Sequence, residues 1–183
     1  MDHLTDAPAE PAAVPGVPPG AREQVTALYQ AHALSLVRLA KIMLGDQSAA
    51  EDVVQDAFLS LYRKWPSLRD PDRAPGYLRA SVLNACRGAH RSATRRARAL
   101  LRAPAAPDIV SAEESALIGE ANREVLAALR ALPTRQREAV VLRYYLDLNE
   151  VQAAQAMNVS RGTVKSATSR GRAALARMLK EDQ

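Results

Sequence analysis

The apolar residues of this chain recur at intervals of three and four, and no stretch alternates apolar and polar residues as a half-buried strand does. Alanine and leucine supply most of the apolar content, whereas aromatic residues are scarce, with one Trp, five Tyr and one Phe. This composition favours helices over sheets. The sequence therefore predicts an all-α fold.

Two segments rich in proline and alanine indicate the domain organisation. Residues 1–20 are acidic and proline-rich, cannot bury a core and are predicted to be a disordered tail. The segment "RAPAAPDIVS" has the composition of an interdomain linker. We therefore expect two small helical domains joined by a flexible linker, with the first domain at 21–92, the linker at 93–111 and the second domain at 112–183.

Helix boundaries follow from caps and breakers. Asn149 followed by Gln152 is a capping-box pattern, Ser160 is a further N-cap candidate, and Pro66 and Pro133 interrupt helices. With the apolar periodicity, these signals predict helices at about 22–45, 48–65, 74–91 or beyond, 112–131, 134–146, 149–157 and 160–180.

Charge is segregated along the chain, whose formal net charge is +5. The stretch from Arg87 to Arg102 contains six arginines and no acid, and Met157 to Lys180 contains six basic residues and no acid. By contrast, Ile42 to Tyr62 contains four acidic residues and no base. One surface therefore suits phosphate and another suits a basic protein surface. If the third helix continues, one basic ridge is formed by Arg87, Arg91, Arg95, Arg98 and Arg102.

Several classes of protein are disfavoured by the composition. Cys86 is the only cysteine, which excludes an intrachain disulfide, and His3, His32 and His90 show no ligand spacing. We therefore predict no metal and no cofactor. No apolar run approaches the length of a membrane span, and the N-terminus is unlike a signal peptide. A cytoplasmic protein without a membrane partner is expected.

The segment from Asn149 to Lys180 has the pattern of a helix-turn-helix. Asn158 tolerates the left-handed turn conformation and separates the two helices. The second helix places Val164 and Ala167 on its inner side and hydroxyl and basic residues on its outer side, as a recognition helix in the DNA major groove does. The predicted DNA contacts are Arg161, Gly162, Thr163, Lys165, Ser166, Ser169 and Arg170.

The predicted helix at 48–65 carries a leucine on its charged face. Val54, Phe58 and Leu61 share the buried face, whereas Leu59 points outward among acidic residues. An apolar side chain within a charged patch is typical of an anchor for a protein partner.

The second domain resembles the promoter −35-binding domain of extracytoplasmic-function (ECF) sigma factors of the sigma-70 family, over the segment "LPTRQREAVVLRYYLDLNEVQAAQAMNVSRGTVKSATSRGRAAL". The first domain resembles the same family, especially its actinobacterial SigE-type subgroup, in "AEDVVQDAFLSLYRKW", which docks on the β′ clamp helices, and in "YLRASVLNACRGAHR", which engages the −10 element. The resemblance implies a sigma factor that binds core RNA polymerase (β′ and β subunits) and promoter DNA, without catalysis of its own. A further possible partner is an anti-sigma factor, and inhibition by the N-terminal tail is the alternative.

The same resemblance assigns residues in the first domain. Tyr77 stands where a tryptophan is usual, and Asn84 matches an asparagine that helps to line a pocket for an unpaired base. The implied polymerase contacts are Asp52, Gln55, Asp56 and Leu59. The implied −10 contacts are Arg69, Asp70, Arg73, Tyr77, Asn84, Arg87 and Arg91.

Two other functions stay open on the residues alone. A stand-alone helix-turn-helix regulator would bind duplex DNA as a dimer at a palindromic site, and it leaves Asp52, Asp56 and Leu59 without a role. An enzyme acting on nucleic acid would need a metal-binding cluster or a Walker-type glycine loop, and the sequence contains neither.

Overall fold

The computed structural model describes residues 20–99 and 120–181, which form α-helices and short helical turns and no strand. The all-α prediction is confirmed. The predicted tail up to residue 19, and residues 100–119 of the predicted linker and second domain, lie outside the described residues. The helices are Ala21–Leu44 (α1), Gln47–Lys64 (α2), Ala74–Ala99 (α3), Glu120–Ala131 (α4), Thr134–Val140 (α5), Glu150–Met157 (α6) and Arg161–Glu181 (α7).

Adjacent residues end α1 and begin α2. Gly45 adopts the left-handed conformation (φ 82°), and its N–H donates to the Lys41 carbonyl at 2.8 Å. Asp46 then caps α2, because its Oδ1 accepts a hydrogen bond from the Ala49 N–H at 2.7 Å. Glycine is favoured at such a helix end because it has no side chain to clash. The predicted end of the first helix at Gly45 is confirmed.

The helices α1, α2 and α3 pack into an N-terminal bundle around fully buried side chains. The rings of Tyr29 and Phe58 meet edge to face with centroids 5.0 Å apart and join α1 to α2. Across the bundle, the Ser60 hydroxyl lies 3.0 Å from the Tyr77 hydroxyl and joins α2 to α3. The centre of the core contains Leu39, Leu61, Leu78, Val82 and Leu83.

The helix α3 continues to Ala99 and therefore includes the first seven residues of the segment predicted as linker. The extension follows from composition, because residues 93–99 are alanines, arginines and a threonine, with no breaker before Pro104. Arg102 of the predicted ridge lies outside the described residues, as do the side chains of Arg95 and Arg98.

The helices α4 to α7 form a C-terminal bundle that contains the predicted helix-turn-helix. Asn149 and Gln152 exchange both capping-box hydrogen bonds at 2.9 Å. Asn158 ends α6 in the left-handed conformation (φ 54°), and Ser160 Oγ accepts from the Thr163 N–H at 3.1 Å. Between α5 and α6, the chain makes a π-helical turn at Val141–Tyr145.

The two bundles also pack against each other. The helix α3 contacts α6, and α1 contacts α4 and α5. No periodicity or motif in the sequence predicts this packing. It determines which of the predicted binding residues face solvent.

Over the described ranges, no helix has both the length and the hydropathy needed to cross a bilayer.

Candidate nucleic-acid and protein interfaces

The predicted polymerase-binding residues share one exposed face of α2. Asp52, Gln55 and Asp56 are exposed, and Leu59 is 45% exposed beside them. The opposite face of the helix is buried in the bundle, so the amphipathic order is as predicted. The structure thus brings Asp52, Gln55, Asp56 and Leu59 together on one exposed face, where the leucine lies among polar and acidic side chains.

A neighbouring feature of this face was missed in the sequence. A shallow pocket lies beside Leu59 and is lined by Val25 and Tyr29 from α1 and by Phe58 and Tyr62 from α2. Tyr29 is half exposed although its ring packs on Phe58. The sequence signal for it was weak, because an aromatic residue at a helical spacing is usually part of the core. The exposed Leu59 side chain therefore lies next to an apolar pocket on this face.

The loop before α3 contains three of the residues predicted to contact the −10 element. Asp70 Oδ1 accepts from the Asp72 N–H at 3.1 Å, and Arg73 Nε donates to Asp70 Oδ2 at 3.0 Å. Asp70 therefore shapes the 3-10 turn Pro71–Arg73. Arg69 is exposed on the same loop.

Tyr77 is half-buried at the first turns of α3 and is held by α2. Besides the Ser60 contact, the Lys64 ammonium lies 5.3 Å from the ring centroid. Burial raises the pKa of Tyr77, but hydrogen bonds with Ser60, Lys64 and Ser81 outweigh it, so that the pKa is lowered. Tyr77 thus fixes the start of α3 to α2.

The next residues of α3 differ in what they contact. Asn84 is exposed, and its Oδ1 accepts from Arg87 Nη1 at 2.8 Å. Arg91 is exposed about two turns further along. Arg87 instead faces the C-terminal bundle, where its Nε and Nη2 donate to the two carboxylate oxygens of Glu138 at 2.6 and 2.8 Å. Of these three residues, Asn84 and Arg91 face solvent.

Glu138 is fully buried between two arginines. Arg135 Nη1 donates to its Oε2 at 3.2 Å, the same oxygen that accepts from Arg87 Nη2. A buried carboxylate without such partners would be strongly destabilising. Burial and the charge of Glu138 raise the pKa of Cys86 to about 12. Sequence reasoning missed Glu138, because an acid at the start of the apolar run "EAVVL" does not indicate which residue pairs with it.

The residues predicted for the −35 element line the outer side of the first turns of α7. Within this set, Ser166 is half-buried and the others are exposed. Ser166 Oγ donates to the Thr163 carbonyl at 3.1 Å, and Arg170 Nη2 donates to Ser166 Oγ at 3.2 Å. Arg161 lies 3.9 Å from the Glu150 carboxylate of α6. The exposed set comprises Arg161, Gly162, Thr163, Lys165, Ser169 and Arg170.

Two family profiles match the chain. "Sigma-70 region 2" matches residues 28–96, and "Sigma-70, region 4" matches residues 122–175. The two matches coincide with the N-terminal and C-terminal bundles.

Curated relatives extend the likeness over most of the chain. The ECF RNA polymerase sigma factor SigM of Mycobacterium tuberculosis is 35% identical over 160 residues, which are 87% of this chain and 79% of the relative. The RNA polymerase sigma-E factor of Streptomyces coelicolor is 33% identical over 148 residues, which are 80% of this chain and 79% of the relative.

Solved structures show the same fold. The sigma factor RpoE, in complex with the anti-sigma factor NepR from Bartonella quintana, superposes with a TM-score of 0.73, at 23% identity and over 88% of this chain and 99% of that one. CnrH, in complex with the cytosolic domain of CnrY, gives a TM-score of 0.65, at 23% identity and over 89% of this chain and 96% of that one. The chain belongs to the ECF sigma factors of the sigma-70 family.

Proposed function

We propose that this sigma factor binds core RNA polymerase through the exposed acidic face of α2. The observation that carries the proposal is the position of Leu59, exposed between Asp56 and the pocket beside Tyr29. An apolar side chain surrounded by charge can be buried by a partner while the carboxylates pair with basic residues on that partner. The β′ clamp helices are the proposed partner.

Promoter DNA is the proposed ligand of α3 and α7. Asn84 and Arg91 lie on the exposed side of α3, where an arginine can neutralise a phosphate and an amide can hydrogen-bond an unpaired base. The first turns of α7 present hydroxyl and basic side chains, which suit the −35 major groove. In this scheme the chain acts in the cytoplasm. The polymerase supplies the chemistry, and the chain directs the polymerase to the promoter.

Run-off transcription tests the proposal. The purified chain is added to core polymerase on a library of randomised promoter templates, and we expect transcripts with defined 5′ ends. Asp56→Arg is the matched negative variant, because it keeps the DNA-binding residues and reverses one charge of the polymerase face. The stand-alone regulator would instead bind duplex DNA as a dimer and give no promoter-dependent transcripts.

We further propose that an anti-sigma protein docks in the groove between the bundles. The groove is apolar and runs between α1, α4 and the π-helical turn, and its exposed side chains include Leu34 (63% exposed) and Tyr144 (60% exposed). Arg38 and Arg130 lie at its rim. This charge favours an occupant with an amphipathic, acidic helix. The sigma factor RpoE, which has the same fold, was solved in complex with an anti-sigma factor.

A groove variant tests this partner. Given an anti-sigma factor that inhibits run-off transcription by the wild-type chain, we expect Leu34→Asp to make transcription resistant to it. Ala127→Asp places the same charge on α4 outside the groove and should stay sensitive. Equal inhibition of both variants would place the partner elsewhere.

A further inference from the structure

We propose that Glu138 masks the DNA-binding surface of α3, because it occupies the guanidinium of Arg87 and holds the two bundles together. The inference rests on the proposed role of α3 in binding the −10 element. In the free chain, promoter DNA and Glu138 then compete for Arg87.

The contact has the geometry that an arginine makes with a phosphate. Arg87 Nε and Nη2 each donate to a different oxygen of Glu138, at 2.6 and 2.8 Å. This two-bond arrangement is shared by arginine–carboxylate and arginine–phosphate pairs. The Arg87 side chain is only 12% exposed and that of Glu138 is fully buried. The same guanidinium edge cannot accept a DNA phosphate while this pair persists.

Further hydrogen bonds at the end of α6 stabilise the closed arrangement, in which the two bundles are packed together. Arg87 Nη2 and Arg135 Nη1 both donate to the Met157 carbonyl, at 3.2 and 3.1 Å. The carbonyl of Met157 belongs to the last turn of α6, where carbonyls lack partners within their own helix. Arg87 therefore connects α3 both to the Glu138 side chain in α5 and to the end of α6.

A second bridge joins the bundles at the end of α1. Arg137 Nη1 donates to the Met43 carbonyl at 2.9 Å, and its Nη2 donates to the carbonyls of Arg130 and Leu132 within its own bundle. The positive guanidinium also suits the negative end of the α1 dipole. Both bridges are made by arginines, so charged hydrogen bonds join the two bundles at these two points.

Separation of the bundles would expose Arg87 beside Asn84 and Arg91. Since DNA would bind only the open form through Arg87, the apparent affinity of the free chain is reduced by the fraction that is open. Removal of the Glu138 charge should raise that fraction. Removal of the Arg87 charge should raise it too, but should delete a DNA contact at the same time.

Three variants separate these effects. Compactness is measured as the radius of gyration by small-angle X-ray scattering, and DNA binding by fluorescence anisotropy with a mixed-sequence single-stranded oligonucleotide. We expect Glu138→Gln to increase the radius of gyration and to bind the oligonucleotide several-fold more tightly. Arg87→Gln should increase the radius of gyration equally without tighter binding. The control, Arg91→Gln, should weaken binding without any change in compactness.

The combined measurements also distinguish the proposed opening from misfolding of a variant. Circular dichroism checks that each variant keeps its helices, and Arg87→Gln tests compactness even if Glu138→Gln fails to fold. The double variant Arg87→Gln/Glu138→Gln should be no more extended than either single variant, because both act on one contact. Tighter DNA binding by Glu138→Gln but not by Arg87→Gln, at equal compactness, is the signature of competition, which a purely structural ion pair would not produce.

The inference is overturned if folded Arg87→Gln and Glu138→Gln stay as compact as the wild-type chain, or if the opened Glu138→Gln binds no more tightly. Run-off transcription by the wild-type chain is scored separately. If it initiates at promoters while the variants show no opening, only the masking role fails. If it does not initiate, the proposed function fails.

Discussion

Gly171 of α7 lies so close to Val140 of α5 that no side chain fits between them. A Cβ atom on Gly171 would lie 2.7 Å from Val140 Cγ2 and 3.2 Å from the Gln136 carbonyl oxygen. The helix α7 is therefore packed directly against α5.

Gly171→Ala should destabilise the C-terminal bundle by about 1–3 kcal/mol, because overpacking forces helices apart. The measurement is the free energy of unfolding in urea. Gly88→Ala is the matched control, because Gly88 is also inside a helix and a Cβ there meets nothing within 4 Å. That variant should gain about 0.5–1 kcal/mol from higher helix propensity. Equal stability of the two variants would contradict the close approach.

Asp56→Arg should abolish binding to core polymerase and leave the fold intact, since the side chain is exposed on α2 and makes no contact that the bundle needs. Co-migration with core polymerase in size-exclusion chromatography measures it. Glu124→Arg makes the same charge change at an exposed position of α4 and should still co-migrate. Unchanged co-migration of Asp56→Arg would refute the docking face.

Arg170→Ala should weaken binding of duplex DNA across sequences and reduce the slope of log affinity against log salt by about one, as loss of one phosphate contact does. The guanidinium is exposed and is oriented by Ser166. Anisotropy titrations over a salt series provide the slope. Arg123→Ala removes an exposed charge from α4, outside the predicted DNA contacts, and should leave the slope unchanged.

Cys86 should make the chain less stable at alkaline pH. Its folded pKa is raised to about 12 by burial and by Glu138, whereas the unfolded thiol ionises at its ordinary, lower pKa. Between these two values the unfolded state loses a proton that the folded state keeps, so the free energy of unfolding falls as pH rises.

The measurement compares urea unfolding of the wild-type chain and Cys86→Ala from neutral pH upward. The free energy of unfolding of Cys86→Ala should be lower at neutral pH because the variant loses packing, but it should fall less steeply as the pH rises. Parallel declines would contradict the raised pKa. Iodoacetamide should also modify the folded wild-type chain slowly at pH 8, because the thiolate is the reactive form.

The sequence predicted what depends on neighbours along the chain. Periodicity placed Leu59 on the exposed side of α2, and local caps such as Asn149 with Gln152 fixed where α6 begins. These signals act within one or two helical turns, so they can be read without the tertiary structure.

Contacts between residues far apart in the chain could not be predicted from the sequence. Arg87 and Glu138 are 51 residues apart, and the arginine was expected on DNA, not inside the molecule. The residue type of Arg87 was informative, but its partner depends on how the helices pack.

The hydrogen bond from Arg137 to the Met43 carbonyl couples the last turn of α1 to the C-terminal bundle. If the C-terminal bundle melted, the Met43 carbonyl would lose this donor, and the end of α1 would lose a contact that stabilises it. Heat should therefore melt the closed chain in a single cooperative transition, in which damage to one bundle lowers the melting temperature of the other.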